Sequence, residues 1–130
     1  MNPVGRFLRS RGQAFGHAFQ GWWYVIRTQK NAWIHTLVTL IVIGMGISLK
    51  INLIEWAVLI VTICLVWMAE FINSALEAVV DLASPSHHPL AKVGKDVGAA
   101  AVLIAAICSV VVGILVLGPH LVKVIATYLR

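Results

Sequence analysis

Five polar side chains recur at helical spacing within an otherwise apolar stretch: Glu70, Asn73, Ser74, Glu77 and Asp81. At about 100° per residue they share one stripe roughly 100° wide, and apolar side chains cover the rest of the helix. A carboxylate at the centre of a bilayer costs about 2.5–3.5 kcal/mol, so this face needs water, a metal or a cationic partner. The stripe is therefore a candidate functional site, and pairing with Arg or Lys of another helix is its structural alternative.

Glu70 and Glu77 could divide the chemistry by depth, because they lie about two helical turns, or roughly 10.5 Å, apart along the axis. A carboxylate with little water around it can accept a proton from a hydroxyl near neutral pH. One nearer the aqueous side can hold Mg²⁺, which prefers hard oxygen ligands and keeps substrate phosphates in its shell. We expect Glu70 to face a lipid hydroxyl and Glu77 to face the metal, with Asn73 orienting either group.

A basic segment, Lys92–Asp96, precedes the third apolar run. Cations and free N–H groups at the start of a helix attract phosphate, but a lysine there also snorkels and fixes topology. The sequence contains neither a G-x-x-x-x-G-K-[ST] motif nor a protein-kinase glycine loop, so a nucleotide site would be of a different kind. We expect Ser86, His87 and His88 to be loop residues that touch nucleotide. His35, at the start of a span, is expected to be an interfacial side chain rather than a ligand.

Composition places these residues in a membrane. The 130 residues are 60% hydrophobic and 12% charged, with a net charge of +5. Soluble domains are nearer about 45–50% apolar and about 25% charged, so the composition excludes a water-soluble globule and a disordered tail. Open strands leave backbone groups unsatisfied in lipid, and the apolar runs are too long for barrel strands. We predict an all-α integral membrane protein with a single domain over residues 1–130.

The pattern predicts a surface helix and three spans. Residues of about 5–29 carry aromatic side chains on one face and polar ones on the other, which is typical of a helix lying in the membrane interface. Such a helix could be a simple anchor or a lid over a site. Spans are predicted over about 33–50, 54–82 and 97–117, the last ended by Gly118-Pro119 and followed by a short C-terminal tail.

Charge and small residues predict orientation and association. Seven basic side chains lie before the first span or between the second and third, and three lie on the other side. This bias places the N-terminus and the 83–96 loop in the cytoplasm. Small residues from Gly94 to Gly113 form a packing stripe on the third helix, and three thin helices bury little, so we expect oligomers. A non-enzymatic membrane oligomer, such as a channel or scaffold, is the alternative function, although one helix alone carries a polar lining.

Three runs, Glu70–Asp81, Ser84–Asp96 and Gly98–Leu103, resemble the small prokaryotic diacylglycerol kinase and undecaprenol kinase family. Phe19–Gly21 and Gln29–His35 look like the end of that family's surface helix, so the resemblance covers about residues 13–117. The resemblance implies a homotrimer with active sites shared between neighbouring protomers at the cytoplasmic membrane interface. It also implies Mg-dependent transfer of the γ-phosphate of ATP to a lipid alcohol, undecaprenol or diacylglycerol.

The same resemblance implies roles for individual residues. Glu70 would be the general base and contact the lipid, Glu77 would bind metal and nucleotide, and Asn73 and Asp81 would support the site. The nucleotide would be bound by a wider set, namely His17, Gln29, Glu77, Ser86, His87, His88, Lys95 and Asp96.

Two positions depart from the family's pattern. Gln29 stands where many members carry a second metal-binding Glu. A neutral amide can still coordinate a cation through its oxygen, but it holds the cation less strongly than a carboxylate does. Ala99, at the lipid-substrate position, stands where the diacylglycerol-specific branch has Ser. This second departure favours undecaprenol as the substrate.

Overall fold

A computed structural model of the chain describes residues 2–86 and 88–129, and these residues form four helices and no strand. The helices are α1 (Pro3–Thr28), α2 (Lys30–Ser48), α3 (Leu53–Ala83) and α4 (Pro89–Tyr128). The last three are each long and apolar enough to cross a membrane. The predicted all-α membrane fold is therefore confirmed, and α1 is the helix expected ahead of the first span.

One non-helical residue, Gln29, forms the corner between α1 and α2. Its backbone is extended (φ −98°, ψ 117°), its N–H donates to the Val25 carbonyl over 2.9 Å, and its carbonyl accepts from the Ala32 N–H over 3.2 Å. Both helix ends are thus partly satisfied at the corner itself. Val25 and Ala32 are both buried. They anchor the corner on the bundle, which holds the Gln29 side chain close to α3.

The turn between α2 and α3 closes the opposite end of the bundle. Lys50 adopts a left-handed backbone (φ 52°), and the next residue, Ile51, is buried in a cluster with Leu59 and Leu117. Asn52 caps α3: its side chain accepts from the Glu55 N–H over 3.0 Å, while a Glu55 carboxylate oxygen accepts from the Asn52 N–H over 2.8 Å. This reciprocal capping box fixes where α3 begins.

Helix α4 is longer than the predicted third span at both ends. It begins at Pro89, a residue suited to the first helical position, and the His88 ring accepts from the Leu90 N–H over 3.2 Å. Lys92–Asp96, expected in a loop, therefore lies within the helix. At the other end α4 runs through Pro119 to Tyr128 instead of stopping at Gly118. Proline removes one backbone donor, whereas ending the helix there would leave several backbone groups without intrahelical partners.

Helices α3 and α4 form the main contact of the bundle. A Cβ added to Gly94 would lie 3.6 Å from Val80, and Gly98 is buried directly against Asn73. Further along, Gly113 has open space around it, so only the first part of the predicted small-residue stripe packs within the chain. Beyond that point an apolar cleft of about 330 Å³ lies between α2, α3 and α4, with His35 and Leu121 among its lining residues.

Candidate active site

Glu70 is the central residue of the site. Its side chain is 1% exposed, and neither carboxylate oxygen has a hydrogen-bond partner among the described residues. The adjacent Ser74 hydroxyl donates to the Glu70 backbone carbonyl over 2.8 Å and leaves the carboxylate free. Burying a charged group without a partner costs several kcal/mol. Packing alone therefore does not account for the Glu70 carboxylate at this position.

His35 lies next to Glu70 and faces into the bundle. Its Nε2 is 3.7 Å from Glu70 Oε2, its side chain is 13% exposed, and Nε2 has no hydrogen-bond partner among the described residues. The reason is the face of α2 on which it lies. Ala32, His35, Thr39 and Val42 follow one another at intervals of three or four and all turn inward. That spacing is visible in the sequence and could have identified His35.

Glu77 is held by two amides. Gln29 Nε2 donates to Glu77 Oε2 over 3.0 Å, and Asn73 Nδ2 donates to Glu77 Oε1 over 3.2 Å. Gln29 comes from the α1–α2 corner and Asn73 from one turn earlier on α3. The structure thus brings together three of the predicted site residues. Asn73 Oδ1 is buried without a hydrogen-bond partner and faces Gly98 on α4.

Two lysines of α4 form ion pairs with Asp81 and Asp96. Lys95 Nζ lies 2.5 Å from Asp81 Oδ1, which links the end of α3 to α4. Lys92 Nζ lies 2.6 Å from Asp96 Oδ2 one turn along the same helix. Both pairs are largely exposed, and such pairs contribute at most about 1 kcal/mol. The structural alternative for the acidic stripe, pairing with a cation of another helix, thus holds for Asp81 but not for Glu70 or Glu77.

The other predicted nucleotide contacts lie around the loop and on α1. Ser86 is exposed, and its carbonyl accepts from the Ser84 hydroxyl over 2.9 Å. His88 caps α4, and His17 is exposed on α1. Hydrogen bonds within the described ranges, 2–86 and 88–129, do not join any of these three to Glu77. His87 lies outside the described residues.

Ala99 is the residue predicted to contact the lipid substrate together with Glu70. It lines a cavity of about 200 Å³ whose remaining walls are Asn31, Ile34, His35, Val102, Leu103 and Ala106. His35 also borders the longer apolar cleft between the three spanning helices. His35 thus borders both cavities and also lies 3.7 Å from Glu70, while Ala99 lines the smaller cavity with it.

The donor atoms around Glu77 fit a magnesium ion that arrives with phosphates. Among the described residues, no three His, Cys, Asp or Glu side chains form a ready-made cation cluster. Mg²⁺ is usually held through only one or two carboxylates, with substrate phosphates and water as its other ligands. Glu77 supplies one carboxylate, and the amides of Gln29 and Asn73 can turn their oxygens toward it. The chemistry of this set therefore suits magnesium held jointly with a nucleotide.

Known proteins are similar in sequence to this chain over the residues that form the site. A family model described as prokaryotic diacylglycerol kinase matches residues 16–117, a range that contains Gln29, His35, Glu70 and Glu77. The undecaprenol kinase of Bacillus subtilis is 36% identical over 120 residues, which cover 92% of this chain and 94% of that protein.

Two diacylglycerol kinases match over a smaller share of their own lengths. The protein from Synechocystis sp. is 46% identical over 109 residues, covering 83% of this chain and 62% of that protein. The protein from Escherichia coli (strain K12) is 42% identical over 72 residues, covering 55% of this chain and 59% of that protein. Since the family model and the Bacillus relative each match most of the sequence, the chain belongs to the prokaryotic diacylglycerol kinase family.

Proposed function

We propose that this protein uses ATP and Mg²⁺ to phosphorylate a membrane lipid alcohol, undecaprenol or diacylglycerol, at the cytoplasmic face of the membrane. Family membership makes it a lipid kinase rather than a non-enzymatic channel or scaffold. The observation that carries the finer proposal is Glu70, a carboxylate with two unpaired oxygens buried on a membrane-spanning helix. The products are the lipid phosphate and ADP.

Glu70 is the general base of the proposed reaction. It accepts the proton of the lipid hydroxyl while the hydroxyl oxygen forms a bond to the γ-phosphorus of ATP. The bond between that phosphorus and the bridging oxygen breaks, and ADP leaves with the bond's electron pair. The carboxylate suits this role because it is desolvated and no hydrogen bond within the described residues must be broken before it accepts a proton.

Glu77 and Gln29 would hold the magnesium ion, and Asn73 orients the Glu77 carboxylate. When bound, the ion neutralises charge on the phosphates of the nucleotide. Lys95 offers a further positive charge, and Asp81 keeps its ammonium group at the end of α3. The remaining proposed nucleotide contacts are His17, Ser86, His87, His88 and Asp96.

The cavity beside Ala99 favours undecaprenol over diacylglycerol. Its walls are mostly aliphatic, and Asn31 and His35 are the polar side chains among its lining residues. Diacylglycerol would bring two ester groups that lose water on entry, which is costly where few partners exist. A polyprenyl chain carries no polar group besides its hydroxyl. We therefore expect Ala99→Ser to raise kcat/KM for diacylglycerol relative to undecaprenol.

The active protein is proposed to be a homotrimer whose neighbouring protomers share each site. Support comes from the apolar cleft between α2 and α4, which the chain itself does not fill. Native mass spectrometry tests the trimer. Mixing two inactive variants, Glu70→Gln and Glu77→Gln, tests shared sites, because mixed trimers would regain activity if one site takes these two residues from different protomers.

The decisive experiment measures transfer of labelled γ-phosphate from ATP to undecaprenol, diacylglycerol and other lipid alcohols in mixed micelles. Wild-type protein should label at least one of them in a Mg-dependent manner, and Glu70→Gln should abolish transfer. Glu55→Gln, at the far end of the same helix, is the matched control and should keep transfer. Well-folded wild-type protein that labels none of the lipids would overturn the proposal.

A further inference from the structure

We propose that His35 is a positioning residue for the general base: its Nε2–H donates to Glu70 Oε2 and leaves Oε1 as the oxygen that meets the substrate hydroxyl. This inference rests on the proposed function of Glu70. It begins from three buried polar atoms that lack hydrogen bonds. Glu70 Oε1, Glu70 Oε2 and His35 Nε2 are all buried without hydrogen-bond partners in the described residues, yet two of them face each other across 3.7 Å.

The remaining gap is small. A hydrogen bond between nitrogen and a charged oxygen spans about 2.7–2.9 Å, so a movement of roughly 1 Å would complete it. An ionised carboxylate has acceptors only, so the ring nitrogen that faces it must carry the proton. A buried donor or acceptor that lacks a hydrogen bond costs free energy. This cost favours the approach of the two side chains when the carboxylate is charged.

Aromatic packing fixes the orientation of the imidazole. The Trp67 ring meets His35 edge-on, with ring centroids 6.2 Å apart and an interplanar angle of 67°. Phe71 in turn packs on Trp67 with centroids 5.8 Å apart. Trp67 and Phe71 flank Glu70 on α3, so the helix that carries the base also carries the rings that hold its partner. The contact with Trp67 therefore supports the imidazole in the orientation that faces Glu70.

The position of His35 also selects which carboxylate oxygen reacts. His35 borders the cavity beside Ala99, so a lipid hydroxyl in that cavity would lie next to the imidazole. With Oε2 engaged by Nε2–H, one carboxylate oxygen remains for the incoming hydroxyl. When one oxygen of the base is already oriented, less conformational entropy is lost in reaching the geometry for proton transfer.

Two substitutions separate hydrogen bonding from packing. His35→Gln keeps an N–H donor of similar reach, and His35→Phe keeps a flat ring without a donor. We expect kcat for lipid phosphorylation to fall at least tenfold in His35→Phe but less than threefold in His35→Gln, with the KM for ATP unchanged in both. Ser48→Ala, an exposed position at the far end of α2 whose hydroxyl donates only to the Gly44 carbonyl, is the control and should keep wild-type kcat.

An infrared measurement provides a readout that does not depend on activity. The carboxylate stretching band that disappears in Glu70→Gln should shift in His35→Phe and return toward its wild-type frequency in His35→Gln. An unshifted band, or equal losses of kcat in both His35 variants, would overturn the role of His35 while leaving Glu70 as the base. Wild-type protein that phosphorylates no lipid alcohol would instead overturn the proposed function itself.

Discussion

Gln29 Nε2 donates a hydrogen bond to Glu77 Oε2 over 3.0 Å, which ties the α1–α2 corner to the cytoplasmic half of α3 proposed above. We expect Gln29→Glu to bind divalent cations several-fold more tightly, because a second carboxylate would replace a neutral amide beside Glu77. In the absence of metal the same change removes a hydrogen bond and sets two like charges together, so the melting temperature should fall. Titration with Mn²⁺, followed by electron paramagnetic resonance, measures the affinity without any turnover.

Gln20→Glu is the matched control for that substitution. Gln20 is exposed on the adjoining helix α1, so the variant adds the same charge at a position away from Glu77. Its Mn²⁺ affinity should equal that of the wild type. Equal affinities for Gln29→Glu and the wild type would exclude Gln29 from the cation site.

Gly98 tests the contact between α3 and α4. A Cβ at this position would collide with Asn73 Oδ1 and lie 3.1 Å from Leu76 Cδ2. Overpacking of this kind costs about 1–3 kcal/mol, so Gly98→Ala should lower the melting temperature in detergent. It should also lower kcat, because displaced Asn73 no longer holds Glu77. Gly44→Ala, on α2, has open space around its new methyl group and should leave both quantities near wild type.

The fold could be predicted largely from the sequence because lipid restricts the choices. Long apolar runs in a bilayer must be helices, and the spacing of Glu70, Asn73 and Glu77 puts them on one face whatever surrounds them. The sequence alone does not show which residue of another helix each of these side chains contacts. The pairing of Glu77 with Gln29 depends on how the α1–α2 corner docks on α3, which is a tertiary property.

One interpretation is wrong for a physical reason, and a second gains a partner from the fold. Gly118-Pro119 predicts the end of a helix, but α4 continues through it, because ending the helix there would free more backbone groups than proline removes. The interfacial position of His35 stays a prediction, and the structure adds that His35 faces into the bundle. Its burial follows from the inward face that it shares with Ala32 and Thr39.

The pair formed by Lys95 and Asp81 allows the structural and nucleotide roles of the lysine to be separated. Lys95→Ala should raise the KM for ATP, while the melting temperature changes little because the pair is largely exposed. In the double variant Lys95→Asp/Asp81→Lys the ion pair is restored with its charges exchanged. If Lys95 serves phosphate, this double variant stays impaired. Recovery of the wild-type KM would show that the lysine serves Asp81 alone.

The far end of the bundle should contribute to stability and not to catalysis. His120 Nε2 lies 2.9 Å from Glu55 Oε1, and the other oxygen of Glu55 completes the cap of α3. Glu55 is separated from Glu70 by about 22 Å of helix at 1.5 Å per residue. His120→Ala should therefore lower the melting temperature, because it removes this hydrogen bond, while kcat stays at its wild-type value. His120→Gln retains a donor and should recover part of the loss.

Thermal unfolding in detergent micelles, run beside the phosphotransfer assay, measures both quantities. A fall in kcat with an unchanged melting temperature would mean that the two ends of the bundle are coupled through α3 and α4.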